Sequence, residues 1–237
     1  MSFIGTAGWT IPAQYKSEFL GEGSQLQRYA SQLKCVEINS SFYHPHKRAT
    51  YEKWAADVPE DFRFSVKIPR TITQNHRLEH YGNELDHFLQ EVTGLGDRLG
   101  VLLAQLPPSL AYDADVTEEF FRDLAQANVT IACEPRHMSW FTPDSEKTLN
   151  SLNVTRVAAD PPRAPSDGTP GGDTRIAYFR LHGSPKIYYS KYSDTRLAQL
   201  ATKLRPRDWC IFDNTAAFHA LENALTLQGN SFATETI

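Results

Sequence analysis

Glu37, Lys67, Glu134, Arg136, Asp160, Arg180 and Asp213 each fall at or near the C-terminal end of a short apolar run, with the titratable His182 beside them. Residues of these types move protons and hold anions. Glu37 and Glu134 suit a general acid/base pair, because two carboxylates in one site push their pKa values apart. Lys67 suits a base or Schiff-base nucleophile if neighbouring cations depress its pKa; flanking carboxylates would instead keep it charged, as an electrostatic clamp, and the clamp is the favoured reading. Arg136 and Arg180 suit bidentate binding of a carboxylate or phosphate. The assignment that follows gives catalysis to Glu37, Lys67, Glu134 and His182, and substrate binding to Trp9, Asn39, Gln105, Arg136, Asp160, Arg180, Asp213 and Asn214.

The period of two along a strand decides which of these side chains can meet. Glu37 shares a parity with Asn39, Ser65 with Lys67, Glu134 with Arg136, and Arg180 with His182, while Gln105, Asp160 and Asp213 complete a ring. If all point inward, seven charges crowd one space. Burying them costs several kcal/mol per ion before pairing, and Leu, Val or Ile would fill the space more stably. The ring therefore reads as a ligand or catalytic site rather than a structural plug.

A divalent metal is the second reading, since Glu37, Glu134, Asp160, Asp213 and His182 include its ligand types. Three interspersed cations compete for the same carboxylates, so the expectation is that there is no cofactor. The chain has no GxGxxG after its first run and no GxxxxGK[ST], which disfavours nicotinamide, flavin and ordinary nucleoside triphosphatase readings. Gly183-Ser184 with Lys186, and Asn214-Thr215, offer the donors of a phosphate cradle. Trp9, Phe42, Tyr43, Trp140, Phe141, Tyr188, Tyr189 and Tyr192 could stack on a sugar or nucleobase.

The elements that must position these groups are eight apolar runs, at 3–9, 35–42, 62–70, 100–107, 130–137, 155–162, 176–183 and 209–215. Runs of this kind suit strands buried on both faces. Helical spacing separates them, as in Leu26, Tyr29, Ala30 and Leu33, in Leu85, Phe88, Leu89 and Val92, and in Phe120, Phe121, Leu124 and Ala125. Eight alternations in 237 residues predict an α/β fold, a single-domain (β/α)8 TIM barrel over 1–228, closed by a helix over about 216–227 and followed by a polar tail over 229–237. Residues 163–175, rich in Pro, Gly, Ser and Asp, read as the loosest internal stretch, and 71–83 and 184–194 as lid candidates.

With 41% hydrophobic and 22% charged residues and a net charge of −4, the chain reads as an ordinary globular protein without a membrane-spanning stretch or signal peptide. A cytoplasmic location is expected, with no membrane partner. Cys35, Cys133 and Cys210 lie in the runs without CxxC spacing, as buried free thiols. The acidic balance makes nucleic acid an unlikely partner and a small molecule the expected one; oligomeric state is left open.

Gly5-Thr6-Ala7-Gly8-Trp9, Val36-Glu37-Ile38-Asn39-Ser40-Ser41-Phe42-Tyr43, Arg63-Phe64-Ser65-Val66-Lys67, Gln105-Leu106-Pro107-Pro108, Glu134-Pro135-Arg136-His137 with Ser139-Trp140, Arg180-Leu181-His182-Gly183 and Phe212-Asp213-Asn214-Thr215 together resemble the YecE-like family, a domain of unknown function, number 72. The resemblance runs from Gly5 to about Leu225. It implies a TIM barrel and brings no established reaction. Gln74 stands where the pattern has a histidine, and Ala217-Phe218 where it has a glycine. The expected function is an enzyme, of hydrolase, lyase or isomerase type, applying acid/base chemistry to a small anionic or sugar-like substrate at the barrel mouth. The alternatives are a non-catalytic binder of an anionic metabolite or nucleotide, and a metal-dependent hydrolase or an enzyme processing single-stranded nucleic acid through residues 188–192.

Overall fold

Short runs of β-branched, aliphatic and aromatic residues bury both faces only in a sheet wrapped by helices, and that is how they lie in the computed structural model, which describes residues 1–163 and 168–234. The strands are β1 (Phe3–Ala7), β2 (Cys35–Ile38), β3 (Arg63–Lys67), β4 (Leu99–Gln105), β5 (Thr130–Glu134), β6 (Val154–Arg156), β7 (Ala158–Asp160), β8 (Gly171–Gly172), β9 (Tyr178–Leu181) and β10 (Trp209–Phe212). Around them run α1 (Gln25–Ala30), α2 (Ser40–Tyr43), α3 (Arg48–Ala56), α4 (Glu84–Val92), α5 (Ala114–Leu124), α6 (Pro143–Ser151), α7 (Asp194–Ala201) and α8 (His219–Thr234).

Parallel pairing proceeds from β9 through β10, β1, β2, β3, β4 and β5 to β6. The sixth barrel strand is divided at Val157: β6 pairs with β5 and β7 pairs with β9, both parallel. Val157 N–H still donates to the Cys133 carbonyl at 2.8 Å, so the barrel closes through one divided strand. This is the TIM barrel the sequence predicted. The edge of β6 that β9 leaves open is taken by β8, which pairs with it antiparallel. That strand falls inside the stretch 163–175 read as loose, of which 164–167 lie outside the described residues.

Two apolar layers follow from the alternation of side chains. The barrel interior is filled by Cys35, Val101, Leu103, Ala132, Val157, Tyr178, Trp209 and Ile211. A larger core between sheet and helices takes in Val36, Phe64, Leu102, Cys133 and Phe212 from the outward positions, packed against Tyr29, Phe88, Phe120, Phe121 and Leu197 from the helices. Gly5 is required where β1 approaches β2, because a Cβ there would lie 2.1 Å from the Cys35 carbonyl oxygen. All three cysteines are buried and free.

Several expected elements end differently. The run 35–42 stops as a strand at Ile38, because the Ser41 hydroxyl lies within hydrogen-bond distance of the Ile38 and Lys67 carbonyls and turns Ser40–Tyr43 into helix. The lid candidate 71–83 opens with a helical turn, Thr71–Asn75, and buries Ile72, Thr73 and Leu78. The closing helix begins at His219, after Phe218 in a left-handed conformation, and runs past Gln228 to Thr234. Among the described residues no helix is long and apolar enough to cross a membrane.

Candidate active site

Inward-facing positions at the C-terminal ends of the strands place charge at one mouth, and Arg180 of β9 sits at its centre. Its Nε and Nη2 donate to Glu37 of β2 at 3.0 and 2.6 Å, and its Nη1 donates to Glu134 Oε2 of β5 at 2.5 Å. Nη2 also reaches Asp213 Oδ2, just beyond β10, at 3.3 Å. Arg180 and Glu37 are wholly buried. The Tyr178 hydroxyl adds hydrogen bonds to Glu37 Oε2 at 2.9 Å and Ser65 Oγ at 2.8 Å. Tyr178 precedes Arg180 by two and so shares its face; the sequence reading passed over it, although that parity was the signal available.

His182 continues the same face. Its Nε2 lies 2.9 Å from Glu134 Oε1 and its Nδ1 3.0 Å from Asp213 Oδ2. Burial alone would lower its pKa, but the charge of Glu134 and the hydrogen bonds to both carboxylates outweigh burial and raise it. Both ring nitrogens then donate. Burial would likewise raise the Glu134 carboxyl, yet Arg180, His182 and Arg136 hold it well below the usual carboxylate range. For Asp213 burial is again opposed and overcome, by Arg180 and His182, and its pKa is lowered. Gln105 Nε2 donates to Glu134 Oε2 at 3.1 Å, and Arg136 Nη2 to Glu134 Oε1 at 3.2 Å.

Lys67 is the exception. Its side chain is buried, with 6% of the residue exposed, and among the described residues its Nζ has neither a hydrogen bond nor an ion pair. The amine lies 3.9 Å from the centre of the Phe42 ring, which α2 carries over the end of β3. Burial and the charge of Arg180 bring its pKa down to about 8, against the weaker opposing pull of Glu37, Glu134 and Asp213. Three carboxylates thus face four cationic groups when His182 and Lys67 are protonated. The excess positive charge, and a buried donor at the mouth without a hydrogen-bond partner among the described residues, Arg136 Nε, fit an anionic ligand; Asn39 Oδ1, an acceptor likewise unpartnered among them, suits a hydroxyl or N–H of the same ligand.

The structure therefore reassigns roles within the ring. Glu37 and Glu134 do not form a free acid/base pair, because Arg180 lies between them and occupies both oxygens of Glu37 and one of Glu134. They hold Arg180 in place. Asp160 leaves the ring: β7 pairs Ala159 with the inward Arg180 and Asp160 with the outward Leu181. Its carboxylate meets Arg196 of α7 at 2.7 Å and the Tyr192 hydroxyl at 3.2 Å, on the outside of the barrel. Asn214 is tied to the Ser190 carbonyl and Asn223, bracing the last two loops. Trp9 packs edge-on against Trp54 of α3, 5.1 Å between centroids, in an aromatic group with His46 and Tyr51.

The remaining sequence readings divide similarly. Arg180 fills the space between the carboxylates that a metal would need, and among the described residues no group of three or more His, Cys, Asp and Glu is disposed to hold an ion. Three members of the phosphate cradle are engaged internally: Gly183 N–H, at a φ of 95°, donates to the Tyr192 hydroxyl, Asn214 Nδ2 to the Ser190 carbonyl, and Lys186 lies over the Tyr189 ring. Tyr188 and Tyr189 are 39% and 49% exposed, but Tyr192 is buried, so residues 188–192 present no three-ring platform. Trp140 is also buried, its Nε1–H donating to the Leu110 carbonyl.

The model of the family described as "Protein of unknown function DUF72" matches residues 3–235. UPF0759 protein YecE of Escherichia coli (strain K12) is 30% identical over 165 residues, 68% of this chain and 59% of the relative. UPF0759 protein YunF of Bacillus subtilis (strain 168) is 26% identical over 210 residues, 81% of this chain and 73% of the relative. The chain thus spans less than two thirds of the length of the YecE relative it matches. Among solved structures, a DUF72 family protein from Enterococcus faecalis V583 superposes with a TM-score of 0.79 at 21% identity, covering 98% of this chain and 96% of that one. One from Thermotoga maritima MSB8 gives 0.76 at 23%, covering 97% and 98%. D-Psicose 3-epimerase from Clostridium cellulolyticum H10 gives 0.53 at 10% identity, covering 99% and 96%. At these identities the likeness is one of fold.

Proposed function

We propose that this chain, which belongs to the DUF72 family, is an enzyme that applies acid/base chemistry to a small anionic substrate at the C-terminal mouth of the barrel. The observation that carries the reading is the amine of Lys67, unpaired among the described residues, in a cluster whose carboxylates are all engaged. A group with a pKa of about 8 takes and returns a proton near neutral pH with little driving force lost either way. Arg136, whose Nε has no hydrogen-bond partner among the described residues, and Gln105 bind the substrate anion at the same mouth. His182, with both ring N–H groups held by Glu134 and Asp213, adds fixed positive charge where negative charge develops. Glu37, Glu134 and Tyr178 are positioning residues, which fix Arg180 and through it the field at Lys67.

A thermal-shift screen of carboxylated and phosphorylated metabolites, followed by NMR of any stabilising compound incubated with the protein, tests this. The expected result is an anion whose stabilisation Arg136→Ala abolishes and whose conversion Lys67→Arg, which keeps the positive charge, abolishes. Stabilisation by divalent ions alone, insensitive to Arg136→Ala, would favour the metal reading. Binding without conversion of any ligand found would favour a non-catalytic binder.

A further inference from the structure

The environment of Lys67 goes further than proton exchange. Resting on the anionic-substrate reading, we infer that Lys67 acts covalently, its Nζ forming an imine with the carbonyl carbon of a small aldehyde or ketone that also carries a carboxylate or phosphate. Three features of the site meet the requirements of that chemistry. The nitrogen must be free to approach a carbon, and Lys67 Nζ has no hydrogen bond or ion pair among the described residues. It must be held on one side and open on the other, and the Phe42 ring at 3.9 Å fixes it while leaving the residue 6% exposed. The electrophile needs an anchor at the same mouth, and the Arg136 guanidinium, partly exposed and bonded to Glu134 through Nη2, offers further N–H donors for a substrate oxyanion.

The electrostatics serve both ends of the step. Attack needs the neutral amine, which burial and Arg180 favour; the product is a cation, which Glu37, Glu134 and Asp213 favour. In the step the nitrogen lone pair forms the C–N bond and the carbonyl C=O pair passes to oxygen. Two protons, one from the nitrogen and one from solvent, then convert that oxygen into the leaving water. The nitrogen keeps one proton, so amine, carbonyl compound and one proton give iminium and water. No oxidant or reductant enters. The iminium withdraws electrons from the adjacent carbon and so labilises its C–H or C–C bond.

The test is reductive trapping on the full chain. Pyruvate, glyceraldehyde 3-phosphate and acetone are each incubated with the protein and cyanoborohydride at pH 8, and the modified lysines are located by peptide mass spectrometry. At that pH an amine of pKa about 8 is neutral on the order of a hundredfold more often than one at 10.5. The expected result is an adduct at Lys67 with pyruvate or the phosphorylated aldehyde, in large excess over Lys34, Lys186 or Lys191. Arg136→Ala should weaken labelling by the anionic probes and leave labelling by acetone alone, and Lys67→Arg should remove it. Whichever of pyruvate and the phosphorylated aldehyde labels at lower concentration identifies the oxyanion. Labelling spread evenly over surface lysines would overturn the inference. Thermal stabilisation by an anionic probe without an adduct at Lys67 would overturn the imine and leave the acid/base reading intact; neither stabilisation nor adduct would overturn both.

Discussion

Replacing Lys67 by methionine should make the protein more stable while removing its activity. The amine drops from its ordinary value of 10.5 to about 8 on folding, and at about 1.4 kcal/mol per pH unit that is about 3 kcal/mol of cost to the folded state whenever the group is protonated. The sign follows from proton counting. Between pH 8 and 10.5 the unfolded chain binds more protons than the folded one, so stability rises with pH across that window; below pH 8 the cost is borne in full. Methionine keeps the contact with Phe42 as a sulfur–aromatic one and loses a cation–π contact of about 1 kcal/mol. The net gain at pH 7 is then about 2 kcal/mol, a rise in Tm of about 4–8 °C for a chain of this length. Urea unfolding of both proteins at pH 7 and pH 10.5 checks it, with the gain expected at the first and absent at the second. A variant less stable than the parent at pH 7, or a gain unchanged at pH 10.5, would refute the claim that Lys67 is a strained, unpaired cation.

Arg180→Met, by contrast, should cost about 3–5 kcal/mol at pH 7, because it leaves Glu37 and Glu134 buried without their cation, and part of the loss should return towards pH 4 as the carboxyls protonate; a loss under about 1 kcal/mol in urea unfolding would contradict the buried cluster. The parent protein's own pH dependence is bounded on two sides. The lowered Glu134 and Asp213 contribute stability that is full above their ordinary values of 4.5 and 3.8 and is lost as pH falls through their folded values. The raised His182 contributes stability that is full below 6.5 and is lost as pH rises through its folded value. Denaturant unfolding should therefore show both contributions in force from pH 4.5 to 6.5, and His182→Gln should flatten the decline above pH 6.5. An unchanged decline in that variant would assign it elsewhere. Asp160→Asn should cost less than about 1 kcal/mol, since its ion pair with the half-exposed Arg196 is on the surface, and should leave anion binding unaltered; lost binding in a titration of the variant would return Asp160 to the site.

Period-two alternation carried most of the site because charged residues on strands two, three, five and seven alternate with apolar ones. Glu37, Lys67, Glu134, Arg180 and His182 announce their own phase. The sixth run gives a weaker contrast: Val157, Ala158 and Ala159 are all apolar, and Asp160 shares the outward parity of Arg156 and Ala158 rather than the inward one of Val157, so it does not complete the ring. Strand starts were legible from the onset of apolar residues, but strand ends were not, because Phe42 continues the apolar run at 35–42 while the two serines before it fold the chain into α2. The β6–β8 pairing was hidden because Gly171-Gly172 carries no strand signal; a free edge of β6, a property of the assembled barrel, recruits it. The sequence named the right charged groups but not their partners. That Arg180 would separate Glu37 from Glu134, and that Lys67 would be the cation left over, depends on distances across the barrel that spacing along the chain does not encode.

The amine of Lys67 is central to both proposals, and its titration followed directly is the most decisive measurement: NMR of the lysine ε-carbons as a function of pH, with Lys67→Arg to identify the resonance. A midpoint near pH 8, moved by a bound anion, is the predicted result. A midpoint at or above 10.5 would show an ordinary, paired ammonium and would contradict both the proposed base and the imine.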